Sequence, residues 1–161
     1  MRVLAVCAGN ICRSPAAEAA IREAAEEAGV VLDVDSAGTG SWHIGEPPHP
    51  EAVAAGARVG LMIDGRARKF TVADYERFDA IVVMDRSNLR DVLSLAPSLA
   101  ARAKVRLFRT YDPASEEDEV PDPWGGPEEG YRETMDIVRT AAAGMIASLV
   151  SARVEDPVTL D

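Results

Sequence analysis

Val3-Leu4-Ala5-Val6-Cys7-Ala8-Gly9-Asn10-Ile11-Cys12-Arg13-Ser14-Pro15 is the stretch on which the fold turns. Residues 3–6 form a short, partly β-branched apolar run that ends at a glycine-containing turn, and this reads as a buried strand. Pro15 suits the first turn of a helix, where its missing N–H would have had no intrahelical partner. Over residues 16–28 nearly every side chain is a strong helix former, and Gly29 supplies the stop. A strand, a loop and a helix therefore follow one another at the start of the chain.

Outward from there the pattern repeats. Residues 30–34 begin a second strand, and residues 36–50 are so crowded with turn formers that they read as a long loop, which in a compact domain usually carries function. Residues 51–59 read as a helix stopped by Gly60, and Thr71 with Asp74 resembles a capping box that opens a short helix to Phe78. Residues 79–84 are the clearest strand, residues 87–96 a helix halted by Pro97, and residues 104–108 a shorter strand. An acidic loop over residues 111–126 leads into a final helix over residues 127–152, with Met135, Val138, Ala142, Met145, Ile146 and Leu149 at three- and four-residue spacing. This order predicts a single-domain α/β fold of three layers, a central four-stranded parallel sheet flanked by helices, with a phosphate-binding loop after the first strand. The domain is expected over residues 1–152, with a C-terminal tail at 153–161. Ligands of such sheets bind beyond the carboxyl ends of the strands, so the loops at Cys7, Ser36 and Asp85 are expected to converge.

Composition agrees with one domain. The chain has 161 residues, 47% of them hydrophobic, and 17 Lys plus Arg against 27 Asp plus Glu give a formal net charge of −10. Such a surface repels a polyanion, which argues against nucleic acid as a partner and favours a substrate with basic flanks. No unbroken apolar run approaches the ~20 residues that cross a bilayer, and the first residues do not read as a signal peptide. The expectation is a cytoplasmic protein without a membrane partner, a monomer or weak dimer; no kinase partner is legible. The two cysteines, Cys7 and Cys12, share one short segment, which suggests chemistry before stapling.

The chemistry points at an oxyanion. A loop entering a helix presents unpaired backbone N–H groups, here those of Ala8, Gly9, Asn10, Ile11, Cys12, Arg13 and Ser14, and the helix dipole adds positive charge at the same place. Gly9 and Asn10 tolerate positive φ, which lets the amides curl into a nest. Arg13 adds a planar fork for two oxygens. The same field favours the thiolate of Cys7, a candidate nucleophile that would attack a bound phosphate ester and form a phosphocysteine for water to hydrolyse. Ser14 would donate to the departing sulfur. A Cys at the end of a strand can also be a small hydrophobe, but the full string of Gly, Asn, Arg, Ser and Pro favours the catalytic reading.

With these residues in view, the sequence resembles the low-molecular-weight protein tyrosine phosphatase family. The resemblance runs through Val6 to Pro15 with Ala17 and Glu18, Ser36-Ala37-Gly38-Thr39 with Trp42, Met84-Asp85-Arg86-Ser87-Asn88-Leu89, and Pro121-Asp122-Pro123-Trp124. It implies hydrolysis of phosphotyrosine esters on a protein substrate, with Cys7 as nucleophile, Arg13 clamping the phosphoryl group and Asp122 as general acid, and no cofactor. Among the carboxylates of the late loop, Asp122 also stands out because Pro121 and Pro123 stiffen its backbone and Trp124 offers an apolar wall. Trp42 and Trp124, large aromatics in polar loops, are by resemblance the walls of a slot for a phenyl ring; anchoring of their own loops is the alternative. Ser36 is implied to hydrogen-bond Asn10. Asp85 either fixes the loop and Arg13 or caps the following helix.

Cys12 has two readings, a reversible disulfide with Cys7 that protects the nucleophile, or packing alone. Zinc held by Cys7, Cys12, His43 and His49 matches no structural zinc spacing, and no metal is expected. Two departures from relatives stand out. Gly65 precedes Arg66-Ala67-Arg68-Lys69 where many carry His, and Gly125 follows Trp124 where many carry a second aromatic. An arsenate reductase of this type needs further cysteines after Cys12, which the sequence lacks, and an arginine phosphatase typically has Thr where Ile11 stands.

Overall fold

A computed structural model describes residues 1–155. Four parallel strands form one sheet in the order β2-β1-β3-β4: β1 (Arg2–Cys7), β2 (Asp33–Gly38), β3 (Ala80–Val83) and β4 (Val105–Leu107). The register pairs Cys7 with Gly38 and Val6 with Val83, so the carboxyl ends of β2, β1 and β3 finish close to one level. The connection from β1 runs to one side and the strands that follow β2 lie on the other, which makes the crevice beyond β1 and β3 the natural ligand site.

β1 is buried from Val3 to Cys7, and its alternating side chains serve two cores. Val3, Ala5 and Cys7 face a layer made with α1 (Arg13–Glu27), α2 (Pro50–Arg58) and α6 (Glu128–Glu155), whose Met135, Val138, Ala142, Met145 and Ile146 are buried there. Leu4 and Val6 face Phe70, Tyr75, Phe78 and Val92, under α3 (Asp74–Arg77), α4 (Arg86–Leu93) and α5 (Leu99–Arg102). Each fully buried Val, Leu or Met contributes about 1.5–3 kcal/mol, and burial on both faces explains why the strand reads as a continuous apolar run.

Several boundaries differ from expectation, each for a local reason. The second strand starts at Asp33, not Val30, because residues 28–30 finish the preceding helix. Gly29 sits at φ 67°, and Val30 N donates back to Ala25 O at 2.8 Å, so Val30 is the apolar residue closing a helix C-cap while Val31 is exposed. Ser36 therefore lies inside β2 and not in the loop after it. Lys104 is outside β4; its ammonium donates to the carbonyls of Tyr75 and Phe78 at the end of α3. Phe108 opens a 3-10 turn (Phe108–Tyr111) instead of closing the strand. Ser98, whose hydroxyl accepts from Ala101 N at 3.1 Å, starts α5, a helix absent from the expected set. Residues 153–155 continue α6 and are not tail; residues 156–161 lie outside the described residues. By length and composition α6 is apolar enough to cross a membrane, contrary to the expectation drawn from unbroken runs, because its alanines raise the average between its polar positions. Its buried stripe, Met135, Val138, Ala142, Met145 and Ile146, packs in the core shared with α1.

Candidate active site

The loop after β1 is turned inside out relative to an ordinary turn. Cys7 O, Ala8 O, Ile11 O and Cys12 O accept hydrogen bonds from Thr39, Gly40, His49 and Ala16, at 2.9, 2.9, 2.8 and 3.2 Å. In a planar trans peptide the N–H points opposite its carbonyl, so the amides of Ala8, Gly9, Cys12 and Arg13 face the loop interior. Asn10 takes φ 58°, a conformation that Asn tolerates better than most side chains. α1 begins at Arg13 with no side-chain cap on its N-terminus. A buried helix start without a capping side chain leaves donors for an anion.

The Cys7 sulfur lies at the base of this ring. It accepts from Asn10 N at 3.2 Å and is 3.0 Å from Ser14 Oγ. Asn10 Nδ2 donates to both Ser14 Oγ, at 2.8 Å, and Ser36 Oγ, at 3.0 Å, and Ser36 donates onward to Glu18 Oε2 at 3.0 Å. With Ser14 Oγ accepting from Asn10, its own proton has two acceptors, the sulfur at 3.0 Å and Ala37 O at 3.4 Å, and the long oxygen contact leaves the sulfur the better partner.

Arg13 is 3% exposed. Its Nη1 donates to Asp85 Oδ2 at 2.7 Å and to Val120 O at 3.0 Å, while Nη2 is 3.7 Å from Asp122 Oδ2. Burial alone would lower the guanidinium pKa; the Cys7 sulfur, Asp85 and Asp122 outweigh it and raise it, so the group is a permanent cation. Asp85 does both things expected of it, since its Oδ1 also caps α4 by accepting from Asn88 N at 2.8 Å. Asp122 is half exposed, and its Oδ1 accepts from Trp124 N at 3.2 Å.

Above the ring opens a cavity of about 280 Å³, lined by Cys7, Ile11 and Arg13 below and by Trp42, His43, Asp122 and Trp124 around the mouth. Trp42 and Trp124 are 70% and 60% exposed, so neither anchors its loop by burial; both stand as open walls. The volume suits one aromatic ring with its phosphoryl group.

A family model for low molecular weight phosphotyrosine protein phosphatase matches residues 2–155. The chain belongs to that family. A low molecular weight protein-tyrosine-phosphatase of Streptomyces coelicolor is 43% identical over 152 residues, covering 92% of this chain and 93% of the relative. The crystal structure of a protein tyrosine phosphatase from Entamoeba histolytica superposes with a TM-score of 0.91 at 32% identity, covering 95% and 99% of the two chains. The arginine phosphatase YwlE of Bacillus subtilis, in a variant with a phosphorylated active-site serine, superposes with a TM-score of 0.85 at 28% identity over 97% and 100%.

The chain is thus an enzyme of the protein-tyrosine-phosphatase class, and four features of this phosphatase were not legible as site residues. Val120 is fully buried within an acidic run; its N donates to Met84 O at 2.7 Å and its O accepts from Arg13, which moors the loop bearing Asp122. A lone Val among carboxylates was the available signal. Arg68 N donates to Asn10 Oδ1 at 3.0 Å, and Glu18 ends the Ser36 chain. His43 covers Gly9, where a Cβ would come within 3.1 Å of its ring, and its Nδ1 meets Glu46 Oε2 at 2.8 Å. His49 Nδ1 accepts from Glu51 N at the start of α2, and its ring stacks on Tyr131 with centroids 5.7 Å apart. Both cysteines are free and buried. Burial, then the nearby Cys7, pushes the Cys12 thiol up to about 12, which keeps it protonated and a slow attacking group for a disulfide with Cys7.

Proposed function

We propose that this phosphatase hydrolyses phosphotyrosine monoesters on proteins through a phosphocysteine, with Cys7 as nucleophile, Arg13 as phosphoryl clamp and Asp122 as general acid and base. The observation that carries the reading is the Cys7 sulfur, held by Asn10 N–H and Ser14 Oγ beneath a ring of inward amides and beside a buried guanidinium. In the first step the sulfur lone pair forms the S–P bond as the P–O bond to the aryl group breaks, and Asp122 gives its proton to the leaving oxygen. In the second, water attacks phosphorus, Asp122 takes the water proton, and the S–P electrons return to sulfur, to which the Ser14 hydroxyl donates a hydrogen bond. The loop amides and Arg13 stabilise the equatorial oxygens throughout. The phosphorylated active-site serine in the YwlE variant supports a covalent path on this fold.

Ile11 and the two Trp walls favour a flat aromatic ester over a guanidino phosphate. We place the reaction in a reducing compartment, the cytoplasm, because Cys7 must remain a free thiol. Comparing turnover of phosphotyrosine and phosphoarginine peptides by wild type and Cys7→Ser tests the assignment. The expected result is a strong preference for phosphotyrosine, and loss of turnover in Cys7→Ser with phosphate binding retained. Unimpaired hydrolysis by Cys7→Ser would remove Cys7 from the mechanism.

A further inference from the structure

The loop that cradles phosphate hangs from a clamp outside it. The Arg68 guanidinium spreads across two carboxylates: Nε and Nη2 reach Asp35 Oδ2 at 3.2 and 3.1 Å, while Nη1 and Nη2 reach Asp74 Oδ2 and Oδ1, both at 3.1 Å. Asp74 is fully buried and also accepts from Thr71 N at 2.8 Å, so the clamp is fixed to the start of α3, while Asp35 fixes it to β2. Burial alone would lower the Arg68 pKa, and the two carboxylates outweigh it and raise it.

The clamp has its effect through the main chain. Arg68 O accepts from Gly38 N at 2.8 Å, and Arg68 N donates to Asn10 Oδ1 at 3.0 Å. A backbone N–H has only a proton to offer, so the amide oxygen of Asn10 must face it and the amide NH2 must face away, toward Ser14 and Ser36. Were the Asn10 amide reversed, its oxygen would accept from Ser14 O–H, and the proton that now serves the Cys7 sulfur would be drawn off. The direction of the side-chain hydrogen bonds that run from Asn10 through Ser14 to the sulfur therefore depends on where Arg68 N–H sits.

We propose that Arg68 is a positioning residue of the reaction: the Asp35–Arg68–Asp74 clamp sets the orientation of the Asn10 amide and thereby keeps the Ser14 hydroxyl proton on Cys7 Sγ while the sulfur carries charge. This rests on Cys7 being the nucleophile. No proton is transferred in the step; the hydroxyl stabilises the electron pair that returns to sulfur when the S–P bond breaks.

The test compares Arg68→Ala, Arg68→Lys and Asp35→Asn with wild type, using p-nitrophenyl phosphate as substrate and iodoacetate as a probe of Cys7 at neutral pH. A reacting group displaced by about 1 Å costs up to roughly a hundredfold in rate. Arg68→Ala is expected to lose about ten- to a hundredfold in kcat with little change in KM, and to slow iodoacetate inactivation in parallel, with circular dichroism preserved. Asp35→Asn, which removes the more exposed anchor, loses less in the same direction, and Arg68→Lys recovers part of the loss. Wild-type kcat and alkylation rate in Arg68→Ala, or a loss that only tracks the unfolded fraction, would overturn the proposal. Alkylation of wild-type Cys7 without loss of turnover would overturn the nucleophile assignment, and the proposal with it.

Discussion

The two regions that meet over the cavity are held in opposite ways. Between Cys7 and Ser14 the outward carbonyls are bonded, Asn10 uses both ends of its amide, and Arg13 is buried. Asp122, across the cavity, is half exposed, and past the mooring at Val120 it has one backbone donor, Trp124 N, and a distant guanidinium at 3.7 Å. The phosphate cradle is over-determined, while the side chain proposed as the acid stands half exposed between two held backbone points, Val120 and the buried Pro123. A group that must remain fixed under a developing charge gains from the first arrangement, and one that must hand over a proton in one step and take one back in the next gains from the second.

The sharpest way to break this contrast is Asp122→Ala. Turnover should fall by about 10²–10⁴-fold for aryl phosphates with basic leaving groups and much less for nitrophenolate, with the unfolding midpoint unchanged. An equal loss across leaving groups would argue against the acid role. Gly38→Ala attacks the other region, because a Cβ there would sit 2.7 Å from Ala8 O and 3.2 Å from Asn10. Neither neighbour is free to move, so a loss of about 1–3 kcal/mol in urea denaturation is expected together with weaker inhibition by phosphate. Wild-type stability would mean that the cradle yields more readily than its hydrogen bonds imply.

Glu18→Gln should have the smallest effect, and it is dependent on pH. Burial raises the Glu18 carboxyl pKa, against the opposing pull of Ser36 and Arg22. A carboxyl raised in the folded state favours folding when protonated; that contribution is complete below the ordinary range near about 4.3 and fades as pH rises through the raised value. The stability of the wild type relative to Glu18→Gln should therefore decline from acid toward neutral pH, and a difference that does not vary with pH would refute it.

The same contrast explains what could be read from the sequence. The cradle is local: Gly9, Asn10, Arg13, Ser14 and Pro15 lie within one turn of chain, and their propensities and charges agree on one conformation. Strand β1 was legible because its burial on both faces leaves an unbroken apolar run. The second strand was misplaced because Val30 and Val31 look like strand residues, whereas Val30 closes a helix cap and Asp33 begins the pairing. Arg68 and Val120 reach the site through contacts 58 and 107 residues apart in sequence, for which no local pattern exists.

The Arg13 fork is divided between two duties. One nitrogen is committed to Asp85 and Val120; the other faces Asp122, and an incoming phosphoryl oxygen would claim that same edge. An anion in the cradle and the Asp122 carboxylate thus compete for one guanidinium edge, so phosphate binding is expected to weaken the 3.7 Å contact between Arg13 and Asp122. Losing the Asp122 charge should therefore free that edge and tighten the grip on inorganic phosphate.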